Sequence, residues 1–174
     1  ISACLVGSEM CIRDSAKAFG MSIAYTARSE KPDSGFTFYP STLELAAHVD
    51  FLVAITPGGT GTRHLINAQV LQALGPRGFL INVARGSVVD ESALIEALQQ
   101  GTIAGAGLDV FAHEPQVPEA LWRLSNVVLT PHMASATTET RQAMADLAFA
   151  NMQAGISGQP LRTPVPECMP LLKM

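Results

Sequence analysis

Ile81-Asn82-Val83-Ala84-Arg85-Gly86 is the stretch from which the rest of this chain can be read: an apolar run that stops on an arginine and a glycine. Two further stretches repeat the pattern. Gly107-Leu108-Asp109-Val110-Phe111 runs on to Glu114-Pro115, and Thr130-Pro131-His132 follows Val127-Val128-Leu129. Short apolar runs separated by helical patterns are the sequence form of βαβ units, and so of a parallel sheet. In open sheets of this kind ligands sit beyond the carboxyl ends of the strands. Arg85, Asp109 and His132 each stand just past such an end, and Glu114 follows a few residues on. The pattern predicts one sheet edge carrying a guanidinium, carboxylates and an imidazole.

Outward from that edge, strands are expected over 21–26, 50–55, 78–83, 103–110 and 127–129. Between them lie helical segments over 41–47, 67–74, 90–100 and 137–157, while 16–21 reads as the end of an earlier helix. The segment 90–100 is the clearest. Asp90 can cap it, Leu94, Ile95 and Leu98 form one apolar stripe, and Gly101 closes it. The glycines of 103–110 suggest a strand that a neighbour approaches closely. There is no internal repeat.

A chain of 174 residues can bury one core. With 48% hydrophobic and only 15% charged residues it reads as a globular domain, not a disordered chain. A net charge of −4 without a basic cluster gives nucleic acid or an anionic membrane no purchase. No apolar run approaches the roughly 18 residues that would span a bilayer. Three cysteines without a paired spacing argue against a disulfide scaffold or a metal site. The expectation is a soluble, cytoplasmic protein.

The loop residues suggest chemistry. Arg85 can hold a carboxylate in two parallel hydrogen bonds, as lysine cannot, which suits a small α-keto or α-hydroxy acid. His132 can act as acid or base near neutral pH, and a neighbouring carboxylate stabilises its charged form. Glu114 is the expected neighbour. The plainer alternatives are a surface arginine at a turn, a loop histidine and a solvated acid. His48 and His113 are read as structural or solvated.

From about Ala16 to Glu167 the chain resembles the cofactor-binding domain of the D-isomer-specific 2-hydroxyacid dehydrogenases, most of all their glyoxylate/hydroxypyruvate reductase branch. The words that carry the likeness are Thr62-Arg63-His64-Leu65-Ile66-Asn67, Asn82-Val83-Ala84-Arg85-Gly86, Val89-Asp90-Glu91, Gly105-Ala106-Gly107-Leu108-Asp109-Val110-Phe111, Glu114-Pro115 and Pro131-His132. The resemblance implies a Rossmann-type, doubly wound parallel sheet and hydride exchange between a nicotinamide and a 2-keto or 2-hydroxy acid. It implies that Arg85 binds the substrate carboxylate, His132 is the acid/base and Glu114 orients it. Asp109 would sit beside the nicotinamide. Val83, Ala84, Arg85 and the turn from His132 through Ala134 and Ser135 would line the cofactor, and Thr56-Pro57 would border its adenosine side. The family further implies a homodimer. In such folds an acid after the second strand grips the ribose of NAD, whereas an arginine accommodates the 2′-phosphate of NADP. Here Arg28 and Ser29 follow the strand, with no acid before Glu30. NADP(H) is expected over NAD(H).

Two departures stand against the family pattern. The substrate domain, built mainly from an N-terminal segment, has no counterpart, so the sheet is expected to be partial. The three glycines of the phosphate-binding turn would fall on Cys4, Val6 and Glu9, none of them glycine, and Glu9 would put negative charge where phosphates should lie. Residues 1–15 resemble a foreign, adapter-derived stretch, although 2–6 could pass for a strand. The expected organisation is a foreign segment over 1–15, a dinucleotide-binding domain over 16–158, and a tail over 159–174 that would return to the absent domain. The competing readings are a non-catalytic nucleotide-binding or dimerisation module and an inactive fragment.

Overall fold

The computed structural model describes residues 8–164, so the expected strand at 2–6 and the end of the tail lie outside the described residues. The chain divides after His132 into two compact units.

The first unit opens with helix α1, Ser8–Ala18, which runs unbroken through Ser15 and Ala16. Strands β1, Ala24–Tyr25, and β2, Thr37–Phe38, pair in parallel, with Ala24 opposite Thr37 and Tyr25 opposite Phe38. β1 is shorter than the 21–26 expected, and β2 was not expected at all: two residues carry no periodicity to read. Helix α2, Thr42–Ala46, follows. Ser41 caps it: its hydroxyl accepts the Glu44 N–H and donates to the Glu44 carboxylate.

The main sheet is parallel, in the order β3-β4-β5-β6. Its strands are Phe51–Ala54, Phe79–Asn82, Gly105–Leu108 and Val127–Leu129. Register runs Ala54 to Asn82 to Leu108 to Leu129, so the carboxyl ends of all four strands come level. That alignment builds the site edge. Helix α3, Ala68–Leu74, is capped by the Asn67 side chain, which accepts from the Gln69 and Val70 N–H groups. Helix α4, Glu91–Gln99, is capped by Asp90, which accepts from the Ala93 N–H. A short helix α5, Glu119–Trp122, lies before β6 and was not expected; four residues are too few for an apolar stripe to show.

α2 packs on α3 and α3 on α4. Leu71 and Leu80 are completely buried, and Leu94, Ile103 and Leu121 nearly so, giving helices and sheet one common core. The apolar stripe of α4 joins this core through Leu94 and Leu98, with Ile95 half-buried against it. At Gly105 a Cβ would lie 2.6 Å from the Asn126 backbone oxygen, the close approach the glycine-rich strand suggested.

The second unit is dominated by helix α6, Thr138–Ile156, capped by the Thr137 hydroxyl accepting from the Thr140 N–H. Asn151 fastens the chain that follows, donating to the Thr163 hydroxyl and accepting the Thr163 N–H. Met144, Leu147, Phe149, Met152 and Ile156 are all exposed. Among the described residues, no helix is long and apolar enough to cross a membrane.

Candidate active site

The last residue of β4 shapes the first part of the site. Asn82 is buried, and a buried amide must find partners. Its Nδ2 donates to the Arg85 carbonyl at 3.2 Å and its Oδ1 accepts the Ala84 N–H at 3.1 Å. The turn Val83–Arg85 is thus wrapped around the end of its own strand. Arg85 emerges exposed, with Nη1 donating to the Ala84 carbonyl at 2.6 Å.

Gly86 then lets two loops touch. A Cβ at this position would lie 1.9 Å from both the carbonyl carbon and oxygen of Phe111. The turn leaving β4 therefore presses directly on the loop leaving β5. In that second loop Asp109 is buried and accepts a hydrogen bond from the Thr130 hydroxyl at 2.6 Å, while its own N–H donates to the Asn82 carbonyl. The ends of β4, β5 and β6 are joined by these bonds.

Glu114 closes the arrangement. Its Oε1 accepts the Phe111 N–H at 3.0 Å and its Oε2 meets His132 Nδ1 at 2.7 Å. His132 sits in the left-handed backbone region, φ 50°, uncommon outside glycine and often found where side chains are held for function. The hydrogen bond from His132 holds the Glu114 carboxyl below the ordinary glutamate range, helped by the Phe111 N–H and the positive charges of His132 and Arg85, against partial desolvation. A carboxylate, an imidazole and the field of a guanidinium meet at one point.

A cavity of about 760 Å³ opens between the segments leaving β1 and β3. Arg28, Ser29 and Lys31 stand on one wall, and Thr56, Pro57 and Thr60 on another. Val83, Ala84, Arg85, Asp109 and His132 are not on its walls. The link between them is Gly58, a wall residue so close to Arg85 that a Cβ would meet its Cγ at 2.9 Å. Ala134 and Ser135 fall in the second unit, on an exposed turn before α6. Glu9 lies in the first turn of α1, while Cys4 and Val6 are outside the described residues. His48 bonds the Glu44 carbonyl and stacks on Tyr39, and His113 is exposed.

Some contributors had no role in the sequence reading. Asn82 was visible as a polar residue inside an apolar strand, a signal that could have been used. The Thr130 hydroxyl, and the Glu91 carboxylate that accepts the Ala112 N–H, act on residues 21 positions away and left no local trace.

Residues 6–134 match the family model described as D-isomer specific 2-hydroxyacid dehydrogenase, NAD binding domain. The chain is 51% identical over 156 residues to a hydroxyphenylpyruvate reductase of Plectranthus scutellarioides, covering 90% of this chain and 50% of that protein. Over 150 residues it is 51% identical to a glyoxylate/hydroxypyruvate reductase A of Arabidopsis thaliana, covering 86% and 48%. It superposes, at a TM-score of 0.87 and 53% identity, on an NADPH-dependent glyoxylate/hydroxypyruvate reductase from Sinorhizobium meliloti in complex with NADP and malonate, covering 91% of this chain and 50% of that one. The chain thus spans about half the length of these relatives.

Proposed function

The chain belongs to the D-isomer-specific 2-hydroxyacid dehydrogenase family through its NAD-binding domain, and from that premise we propose that the whole protein reduces a small 2-keto acid of the glyoxylate or hydroxypyruvate type with NADPH. The observation that carries the reading is the 2.7 Å contact between Glu114 and His132 at the carboxyl edge of a parallel sheet, with Arg85 near enough for its charge to act on Glu114.

The residues lining the cavity suit the adenosine end of a dinucleotide, whereas the missing glycines and Glu9, in the first turn of α1, do not suit its pyrophosphate. Cationic and hydroxyl groups line a cavity beyond the strand ends, where this class of sheet takes its ligands. Thr56 and Pro57 would border the adenosine side, Arg28 and Ser29 would take a 2′-phosphate, and Val83, Ala84 and Asp109 would face the nicotinamide side. When bound, the reduced nicotinamide supplies a hydride to the keto carbon. Arg85 binds the substrate carboxylate and fixes which face of the ketone is presented. With Nδ1–H donating to Glu114, the other nitrogen of His132 is left to give its proton to the keto oxygen, yielding the 2-hydroxy acid. Glu114 fixes the ring and stabilises its charge. The dinucleotide-binding part spans 16–158, the protein is cytoplasmic, and it works as a homodimer; the exposed apolar side chains of α6 support the last point.

The test is keto-acid-dependent loss of NADPH absorbance by the whole protein. Turnover of glyoxylate or hydroxypyruvate is expected, with H132A losing about 10²–10⁴-fold, the worth of general acid catalysis. No turnover, or near-normal turnover in H132A, would overturn the reading.

A further inference from the structure

Glu114 stands on an exposed loop, yet its position against His132 must be held to fractions of an ångström for a 2.7 Å contact. Most of what surrounds it is local: the Phe111 N–H on its Oε1, and a bridge between His113 and Gln116. A further tie comes from α4. Glu91, the first residue of α4, accepts the Ala112 N–H through Oε2 at 3.2 Å, across 21 residues of sequence. The N–H groups of Phe111 and Ala112, neighbours in the chain, are thus taken by two different carboxylates. α4 is a firm base for this, with Asp90 capping it and Leu94, Ala97 and Leu98 buried beneath. From the other side Gly86 abuts the same two residues. The loop is gripped between the turn of β4 and the start of α4.

We infer that Glu91 is a positioning residue for the Glu114–His132 pair, fixing from α4 the loop that carries Glu114. The inference rests on the reading of that pair as the acid/base of the reaction. Glu91 touches no substrate; it acts through the Ala112 backbone. The charged groups that bear on Glu114 are His132 from beyond β6 and Arg85 from beyond β4, while Glu91 meets the loop at the Ala112 N–H. A glutamine at 91 keeps an oxygen acceptor and removes the charge, whereas alanine removes both.

The experiment is carboxyl ¹³C titration of Glu114 in the 174-residue chain, its resonance identified by loss in E114Q. In the unaltered chain Glu114 titrates below the ordinary glutamate range. E91A is expected to move the midpoint up toward an ordinary glutamate, and E91Q to restore most of the depression. A folded E91A with an unmoved midpoint would overturn the inference. Should E91A fail to fold, the Ala112 amide proton decides. Its shift should follow a carboxylate titration that persists in E114Q and vanishes in E91Q; a flat Ala112 response overturns the proposal equally. In the whole protein, E91A should lower kcat while leaving KM for the keto acid unchanged. Failure of keto-acid turnover would sink the proposed function alone, because the titration reads the loop without substrate. An unmoved Glu114 midpoint in E91A, beside a turnover lost in E114Q, would sink this inference alone.

Discussion

Glu114 uses each carboxylate oxygen for a separate purpose, one to shape its own loop and one to hold the imidazole. Its depressed titration makes this visible in stability. A group whose pKa falls on folding contributes in full above its unfolded value, about 4.3 for glutamate, and loses that contribution as pH drops through the lower folded value. Denaturant unfolding of the chain should therefore weaken more steeply below about pH 4.3 than unfolding of E114Q; parallel profiles would remove the depression. Arg28 belongs to the same scale. If it meets a 2′-phosphate, R28D in the whole protein should invert the preference between NADPH and NADH, read as the ratio of the two kcat/KM values. An unchanged ratio would discard the phosphate argument. Arg85 and His132 were legible as site candidates because a strand end followed by a charged residue is a local pattern. Asn82 was legible only in principle, since its partners are two and three residues away but its burial comes from the sheet.

Elements meet at this site through backbone as much as through side chains. Gly86 is the position where the β4 turn and the β5 loop share space that admits no Cβ. G86A should destabilise the chain by at least the upper end of ordinary overpacking, about 3 kcal/mol, because the obstacle is backbone and cannot swing away. Urea unfolding measures it; a loss under 1 kcal/mol would show that the two loops can part. The longer strands and helices could be read from the sequence, with boundaries trimmed by one to three residues, since caps such as Asn67 and Asp90 announce themselves beside apolar stripes. β2 and α5 were not readable: at two and four residues, pairing and packing create them, not periodicity.

At the scale of the whole molecule, α6 is the feature that the chain leaves without an internal explanation. It has no buried residue, and Met144, Leu147, Phe149, Met152 and Ile156 lie open to solvent. Such a surface favours association over isolation in water. If the homodimer forms through it, L147E combined with F149E should shift the whole protein toward monomer in light scattering. A dimer unaffected by both charges would place the interface elsewhere.

Sequence alone determined that this chain makes a parallel α/β sheet and that an arginine, a glutamate and a histidine follow its strands, because apolar period and strand-end punctuation are properties of neighbouring residues. It also carried the family, through ordered words spread along the chain. The sequence named Glu114 as the neighbour of His132, but only the tertiary structure decided the 2.7 Å contact between them, that Asp109 is met by Thr130, and that Glu91 accepts from the loop of a residue far along the chain. Those contacts arise from strand register and loop docking, which are set by the whole core, and no local stretch encodes them.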